Sequence, residues 1–351
     1  MDQQSEDADL GYALSLWPQG SRVLHAVGSY DRFKAESEPM LSYSLRDSRG
    51  RLIGSYDIPP AVSSCGHIGT IPRSDFIALL QQRLDGAPVR HGVSVERLCD
   101  MDDGVDVQFT DGSEASFDLV IGADGIHSRV RELLFGRLPE YDTGWGCCVW
   151  WGDPQLTGKG ETREWWGVGR FLGLYPCRNR SCIIIGAPVK DLQPSVREGR
   201  ADRLKTLLKP FDLPLDDLFV GLPPDSERLF LWRMADVLAP CWVKGRVVLV
   251  GDAAAAFLPT AGIGASMALE SAAVLADELS RTDATHLPQA LDLYAARRRR
   301  RVLTAQNQSR WLARVAFIRS RPLGWVRDQL MRFATLEQMI GPILKQLRTP
   351  I

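Results

Sequence analysis

The chain has 351 residues, with 42 lysines and arginines against 43 aspartates and glutamates and a formal net charge of −1. That balance excludes a global field drawing it to nucleic acid or to an anionic membrane, and the length suffices for two domains or one elaborated one. Seven cysteines (65, 99, 147, 148, 177, 182 and 241) include no C-x-x-C pair and no histidine spacing that suggests zinc, so free, mostly buried thiols in a reducing compartment are expected.

Met1 to Asp9 is acidic and polar, without a basic segment leading into an apolar one, and no apolar run approaches transmembrane length. A cytoplasmic protein without stable membrane insertion is expected. Leu10 to Trp17 reads as extended chain leading into a helix, with Pro18 in its first turn and Gly28 closing the segment. Residues 41–58 alternate as a hairpin around Asp47-Ser48-Arg49-Gly50. Ser74-Asp75 looks like an N-cap for a helix with Phe76, Leu79, Leu80 and Leu84 on one stripe. Val93 to Leu98, a turn at Met101–Gly104 and the alternation Val105, Val107, Phe109 predict further strands, with Asp111-Gly112 turning the chain back.

The run Asp118-Leu119-Val120-Ile121-Gly122-Ala123-Asp124-Gly125 follows, and Gly245-Arg246-Val247-Val248-Leu249-Val250-Gly251-Asp252 has the same character. Each is a short apolar run halted by glycine and aspartate, as for a strand buried on both faces of a parallel sheet. Ligands of open α/β sheets bind at the carboxyl ends of such strands. Between the two runs, residues 140–235 are rich in short strand-like stretches, and five of the ten tryptophans lie from Trp145 to Trp166. After the second run, Pro259-Thr260-Ala261-Gly262-Ile263-Gly264-Ala265 leads into a helix over 262–279, whose amino end favours an anion. Five consecutive arginines, Arg297–Arg301, read as a solvated helix end with cations near a carboxyl terminus, within a mostly helical basic tail.

With both signatures in place, the chain resembles the flavoprotein monooxygenases of the p-hydroxybenzoate hydroxylase type, the FAD-dependent aromatic hydroxylases. The resemblance implies an α/β nucleotide-binding domain (residues 1–40, 71–139 and 236–300) interrupted by an antiparallel substrate-binding sheet (41–70 and 140–235), with a C-terminal helical segment (301–351). It implies that Arg73, Asp124, Gly125, Gly251, Asp252, Pro259, Gly262, Gly264 and Ala265 bind FAD. It also implies NAD(P)H as co-substrate, O2, a flavin C4a-hydroperoxide and hydroxylation of a small aromatic or other electron-rich molecule. A homodimer is compatible with it; nucleic acid is not a partner. Family members often carry a histidine near Ala255, so no catalytic histidine is expected there, and no general acid or base is assigned.

The family opens with a strand, Gly-x-Gly-x-x-Gly and a helix, and Met1 is not preceded by such a unit of roughly 40 residues. Nucleotide-binding domain and fold are therefore expected in N-terminally truncated form, with weakened FAD affinity and little NAD(P)H oxidation. The alternatives are a weakly flavin-binding or inactive homologue, or another flavin reaction, halogenation or reduction, on the same scaffold.

Overall fold

The computed structural model describes residues 12–84, 86–193, 199–211, 213–222 and 230–349; Leu10 and Gly11 of the first predicted element lie outside them. In chain order its strands are β1 (Ala13–Leu16), β2 (Glu38–Pro39), β3 (Ser42–Arg46), β4 (Leu52–Asp57), β5 (Gly69–Pro72), β6 (Val95–Asp100), β7 (Val105–Phe109) and β8 (Glu114–Phe117). They continue as β9 (Val120–Gly122), β10 (Tyr141–Gly152), β11 (Glu161–Trp166), β12 (Phe171–Cys177), β13 (Arg180–Pro188), β14 (Phe230–Asp236), β15 (Val243–Lys244) and β16 (Val247–Leu249).

The two apolar runs become β9 and β16, and they lie side by side in parallel, Val248 opposite Ile121 and Leu249 opposite Gly122. Gly122 allows that approach, because a Cβ there would meet Leu249 Cδ2 and Val130 Cγ1 at 2.8 Å. Val247, Val248 and Leu249 are fully buried, as expected for a strand covered on both faces. Ile121 departs from that expectation: it is 47 % exposed, and β9 pairs with β16 alone among the described residues. Beside this pair stands the meander β6-β7-β8, whose Val105, Val107 and Phe109 are buried as their alternation predicts.

A seven-stranded sheet, in the order β14-β10-β13-β12-β11-β3-β4, gathers the hairpin of residues 42–57 with the tryptophan-rich region. It is antiparallel except where β3 runs parallel to β11. That exception arises because β3 arrives from a distant part of the chain, so no hairpin dictates its direction. Asp47 builds the β3-β4 turn by accepting the amides of Arg49 and Arg51 at 2.8 and 3.0 Å, and Gly50 takes a φ of +75° there.

The predicted cap at Ser74 moves by two residues. The helix is Arg73–Gln81, with Pro72 as its N-cap and no side-chain cap. Proline's fixed φ and missing amide suit a chain leaving β5 directly into a helix. A second change concerns the arginine run, which lies inside one 30-residue helix, Leu287–Ala316, and not at a helix end. Arg298 is fully buried against Glu270 of the Gly264–Leu279 helix, and Arg297 pairs with Asp277 and Glu278 of the same helix. The acids of one helix thus face the cations of its neighbour, which the run read alone does not show. No described helix is long and apolar enough to cross a membrane.

Candidate active site

Both signatures end on one side of the β9-β16 pair. β16 runs through Val250 into Gly251, whose φ is +62°, and Asp252. The Asp252 carboxylate is solvent-accessible, and no described residue hydrogen-bonds to it. Protein packed around it disfavours its charge and raises it to about 6, partly offset by the attraction of Arg131. Arg131 joins the two signatures: it donates to the carbonyls of Asp252 and Ala253 at 3.4 and 3.1 Å and to that of Ile126. Asp124, at the end of the first signature, accepts the Ser128 hydroxyl and, at 3.0 Å, the Val130 amide. Its carboxylate therefore helps cap the Arg129–Phe135 helix, where Ser128 is the N-cap. Gly125 follows with a φ of +79°.

Arg73 reaches the same region. Its amide bonds the Tyr12 carbonyl at 2.9 Å, and its guanidinium lies 5.7 Å from the Tyr12 ring centre. Burial raises the Tyr12 hydroxyl; Arg73 opposes that shift and Asp252 adds to it, so the three side chains share one electrostatic neighbourhood. Pro259 opens the short 3-10 turn Pro259–Ala261, which closes on Gly262 in the left-handed region at φ +58°. The Gly264–Leu279 helix then starts with no side-chain cap and no acid in its first turn. Its leading amides at Gly264 and Ala265 find no acceptor among the described residues, at the positive end of a 16-residue dipole.

A residue that the sequence reading passed over stands against this helix end. The turn Pro18–Ser21 packs so closely that a Cβ on Gly20 would sit 2.7 Å from Ser266 Cα, and the Trp17 amide bonds Ser266 Oγ at 3.0 Å. Next to it, Gln19 is fully buried, yet neither atom of its amide has a hydrogen-bond partner among the described residues. A buried orphan amide calls for a partner. Together with the uncapped helix and the free Asp252 carboxylate, it suits a nucleotide cofactor with polar ring edges, hydroxyls and negative charge.

From Thr260, Ala261 and Gly262 a cavity of about 130 Å³ extends to the seven-stranded sheet, walled by Trp17, Met40, Ile58, Leu312, Met339 and Ile343. A smaller space of about 60 Å³ continues it past Trp232, Met234 and Phe317. Between the two stands Glu164, from the middle of β11. Its Oε2 accepts the Tyr43 hydroxyl and Trp166 Nε1, and its Oε1 accepts the Tyr175 hydroxyl, each at 2.8 Å. Burial raises the Glu164 carboxyl above its ordinary range, against the pull of these three donors. Both tyrosine hydroxyls are pushed well up, by burial first and by Glu164 second. The cluster forms because Thr162, Glu164 and Trp166 alternate onto one face of β11, with Tyr43 and Tyr175 lying beside Thr162 on the flanking strands. Its only sequence signal was the aromatic density of the region.

The site's two halves, an uncapped helix beside a free carboxylate and an enclosed aromatic cavity, have the form of a cofactor-dependent enzyme. Comparison with known proteins agrees. The family described as "FAD binding domain" matches residues 1–309. The chain is 28 % identical over 335 residues to 2-heptyl-3-hydroxy-4(1H)-quinolone synthase of Pseudomonas aeruginosa strain UCBPP-PA14, covering 95 % of this chain and 86 % of that one. It is 29 % identical to the salicylate hydroxylase of Pseudomonas putida over 92 % of this chain and 81 % of the other. The crystal structure of Klebsiella pneumoniae HpxO complexed with FAD and uric acid superposes with a TM-score of 0.84 at 26 % identity, covering 97 % of this chain and 88 % of that one. The chain belongs to the FAD binding domain family, in its FAD-dependent monooxygenase branch.

Proposed function

We propose that the protein is an NAD(P)H-dependent hydroxylase of a small aromatic or other electron-rich organic molecule. The observation that carries this reading is the cavity's position, with the Thr260–Gly262 turn at one end and the Glu164 cluster at the other. A bound substrate would lie directly before the amino end of the Gly264–Leu279 helix. FAD, when bound, supplies hydride uptake from NAD(P)H and activation of O2.

The protein's own contribution is binding, orientation and exclusion of water. Asp252 accepts hydroxyl donors of the cofactor's sugar chain. Gly251, Pro259 and Gly262 shape the turn that lets a ring system approach the backbone. Gly264 and Ala265 offer amides to negative charge, Arg73 adds a cation, and Gln19 pairs with a polar ring edge. Asp124 and Gly125 hold the neighbouring loop at the end of β9. The apolar cavity wall keeps water from the reacting atoms.

The test is to purify the protein, titrate it with FAD, and follow NAD(P)H oxidation with and without hydroxylated aromatics. Flavin absorbance perturbed only at high FAD concentration, slow NAD(P)H oxidation and a product heavier by one oxygen are expected. A protein that leaves the FAD spectrum unchanged would overturn the reading.

A further inference from the structure

Among the described residues, Glu164 is the one charged side chain lining either part of the cavity, and no lysine, arginine or histidine lines it. The nearest cations on the same strands face away. Arg163 alternates to the opposite face of β11, where it pairs with Glu161 at 2.7 Å, and Arg46 lies over the Trp165 ring on that same face. A carboxylate has about four acceptor positions. Three are taken: two on Oε2 by Tyr43 and Trp166, and one on Oε1 by Tyr175. One acceptor position on Oε1 is left, and Glu164 lines both parts of the cavity. An indole N–H can only donate, so the Trp166 contact fixes Oε2 as an acceptor.

A second observation points the same way. Thr162, two residues earlier on the same face, lines the cavity and is 2 % exposed. Its Oγ1 has no hydrogen-bond partner among the described residues. A buried hydroxyl without a partner beside a carboxylate with a spare acceptor position forms an incomplete polar site. A ligand that donates one hydrogen bond to Glu164 and accepts or donates another at Thr162 completes it.

We propose that Glu164, with Thr162 beside it, selects aromatic substrates that present a neutral hydrogen-bond donor, a phenolic O–H or a ring N–H, and rejects aromatic carboxylates. This rests on the aromatic-hydroxylase reading and narrows its substrate class. A carboxylate ligand would place a second negative charge against Glu164 with no cation among the described lining residues to offset it; the buried Arg327, 5.8 Å from the Trp166 ring centre, is already paired with Asp328, and like charges at close range are strongly disfavoured. A ligand without a donor would leave the Oε1 position empty after losing its water.

The test uses three flat probes of one ring system: 2-naphthol, 2-methoxynaphthalene and 2-naphthoate. Their dissociation constants for the native protein are measured by quenching of tryptophan fluorescence, with and without FAD. The proposal expects 2-naphthol to bind about tenfold to a hundredfold more tightly than 2-methoxynaphthalene, the range for one hydrogen bond to a charged group, and 2-naphthoate to bind least. In E164Q the naphthol preference shrinks toward unity and 2-naphthoate gains affinity. Equal binding of 2-naphthol and 2-naphthoate by the native protein overturns the proposal, as does an unchanged ratio in E164Q. If E164Q fails to fold, the native series decides alone. FAD titration and NAD(P)H oxidation are read separately: their failure would remove the hydroxylase reading while leaving the donor preference to stand or fall on the probe ratios.

Discussion

At the scale of single residues, Asp252 carries the clearest pH signature. Its carboxyl is raised to about 6, so in the flavin-free protein ionisation is less favourable than for an ordinary carboxylate, although the ionised form still predominates at neutral pH. A group raised in this way stabilises the fold below the ordinary carboxylate range and loses that contribution as pH rises through about 6. Cofactor hydroxyls prefer the ionised acceptor, so flavin binding should run the other way and weaken as pH falls through about 6. FAD dissociation constants measured from pH 7.5 to pH 5 should show this loss in the native protein and a flatter profile in Asp252→Asn. Asp252→Ala should weaken FAD by roughly 1.5–3 kcal/mol, the worth of a hydrogen bond to a charged group, while turnover per bound flavin changes much less. A variant that keeps FAD but loses turnover would reverse the assignment.

Gly173 makes a second residue-scale case. A Cβ there would sit 2.5 Å from the Tyr175 ring, which crosses it on the way to Glu164. Gly173→Ala should therefore displace Tyr175 from Glu164 and cost about 1–3 kcal/mol of stability, as overpacking does. Urea unfolding measures the loss. Because Tyr175 belongs to the cavity wall and not to the helix end, aromatic-ligand affinity should fall with FAD affinity nearly unchanged; a larger loss of FAD would contradict this division of the site.

At the scale of elements, strands with a strong period were legible and the polar cluster was not. Val105, Val107 and Phe109 declare their buried face by alternation alone, and the runs ending at Gly122 and Gly251 declare strand ends by composition. Glu164 gave no comparable signal. Its meaning comes from Tyr43, 121 residues earlier in the chain, and from Tyr175, 11 residues later, brought together by a parallel pairing that no local pattern specifies. Gln19 was hidden in the same way, because its burial depends on the approach of Gly20 to Ser266. The helix start at Gly262–Ala265 was legible, since glycine is the residue that takes a φ of +58° without cost. Gly262→Ala should cost about 1–2 kcal/mol through that backbone conformation. The space beyond is open, with Trp17 Nε1 3.8 Å away from a built Cβ, so side-chain overlap adds little. Thermal unfolding with and without FAD separates the two effects: a uniform fall in Tm marks strain, and an extra fall with FAD marks lost cofactor contact.

At the scale of the whole molecule, the Leu287–Ala316 helix ties the β9-β16 pair to the seven-stranded sheet, through Tyr294 on the Leu249 carbonyl and Arg310 on Asp236. Near its far end Arg310 holds the fully buried Asp236 of β14 through Nε and Nη2, at 2.8 and 2.5 Å. Nearer its start, Arg298 and Arg301 grip Glu270 of the Gly264–Leu279 helix, whose amino end faces the cavity. The two partners of this triad are not equivalent. Arg298 and Glu270 are fully buried, whereas the Arg301 side chain keeps 10 % exposure and bonds both Glu270 oxygens, at 2.9 and 2.8 Å. Arg298→Met leaves Glu270 still paired by Arg301. Glu270→Ala leaves Arg298 charged, buried and without its acid, a loss of about 3–5 kcal/mol for a broken buried pair. Glu270→Ala should therefore destabilise the fold distinctly more than Arg298→Met. Combining Glu270→Leu with Arg298→Met should recover much of the loss, since apolar side chains can replace a buried ion pair at little cost. Denaturant unfolding of the three variants decides the matter: equal losses for the two single substitutions would mean that Arg298 finds another partner or water, and that the helix pair is held by its apolar contacts alone.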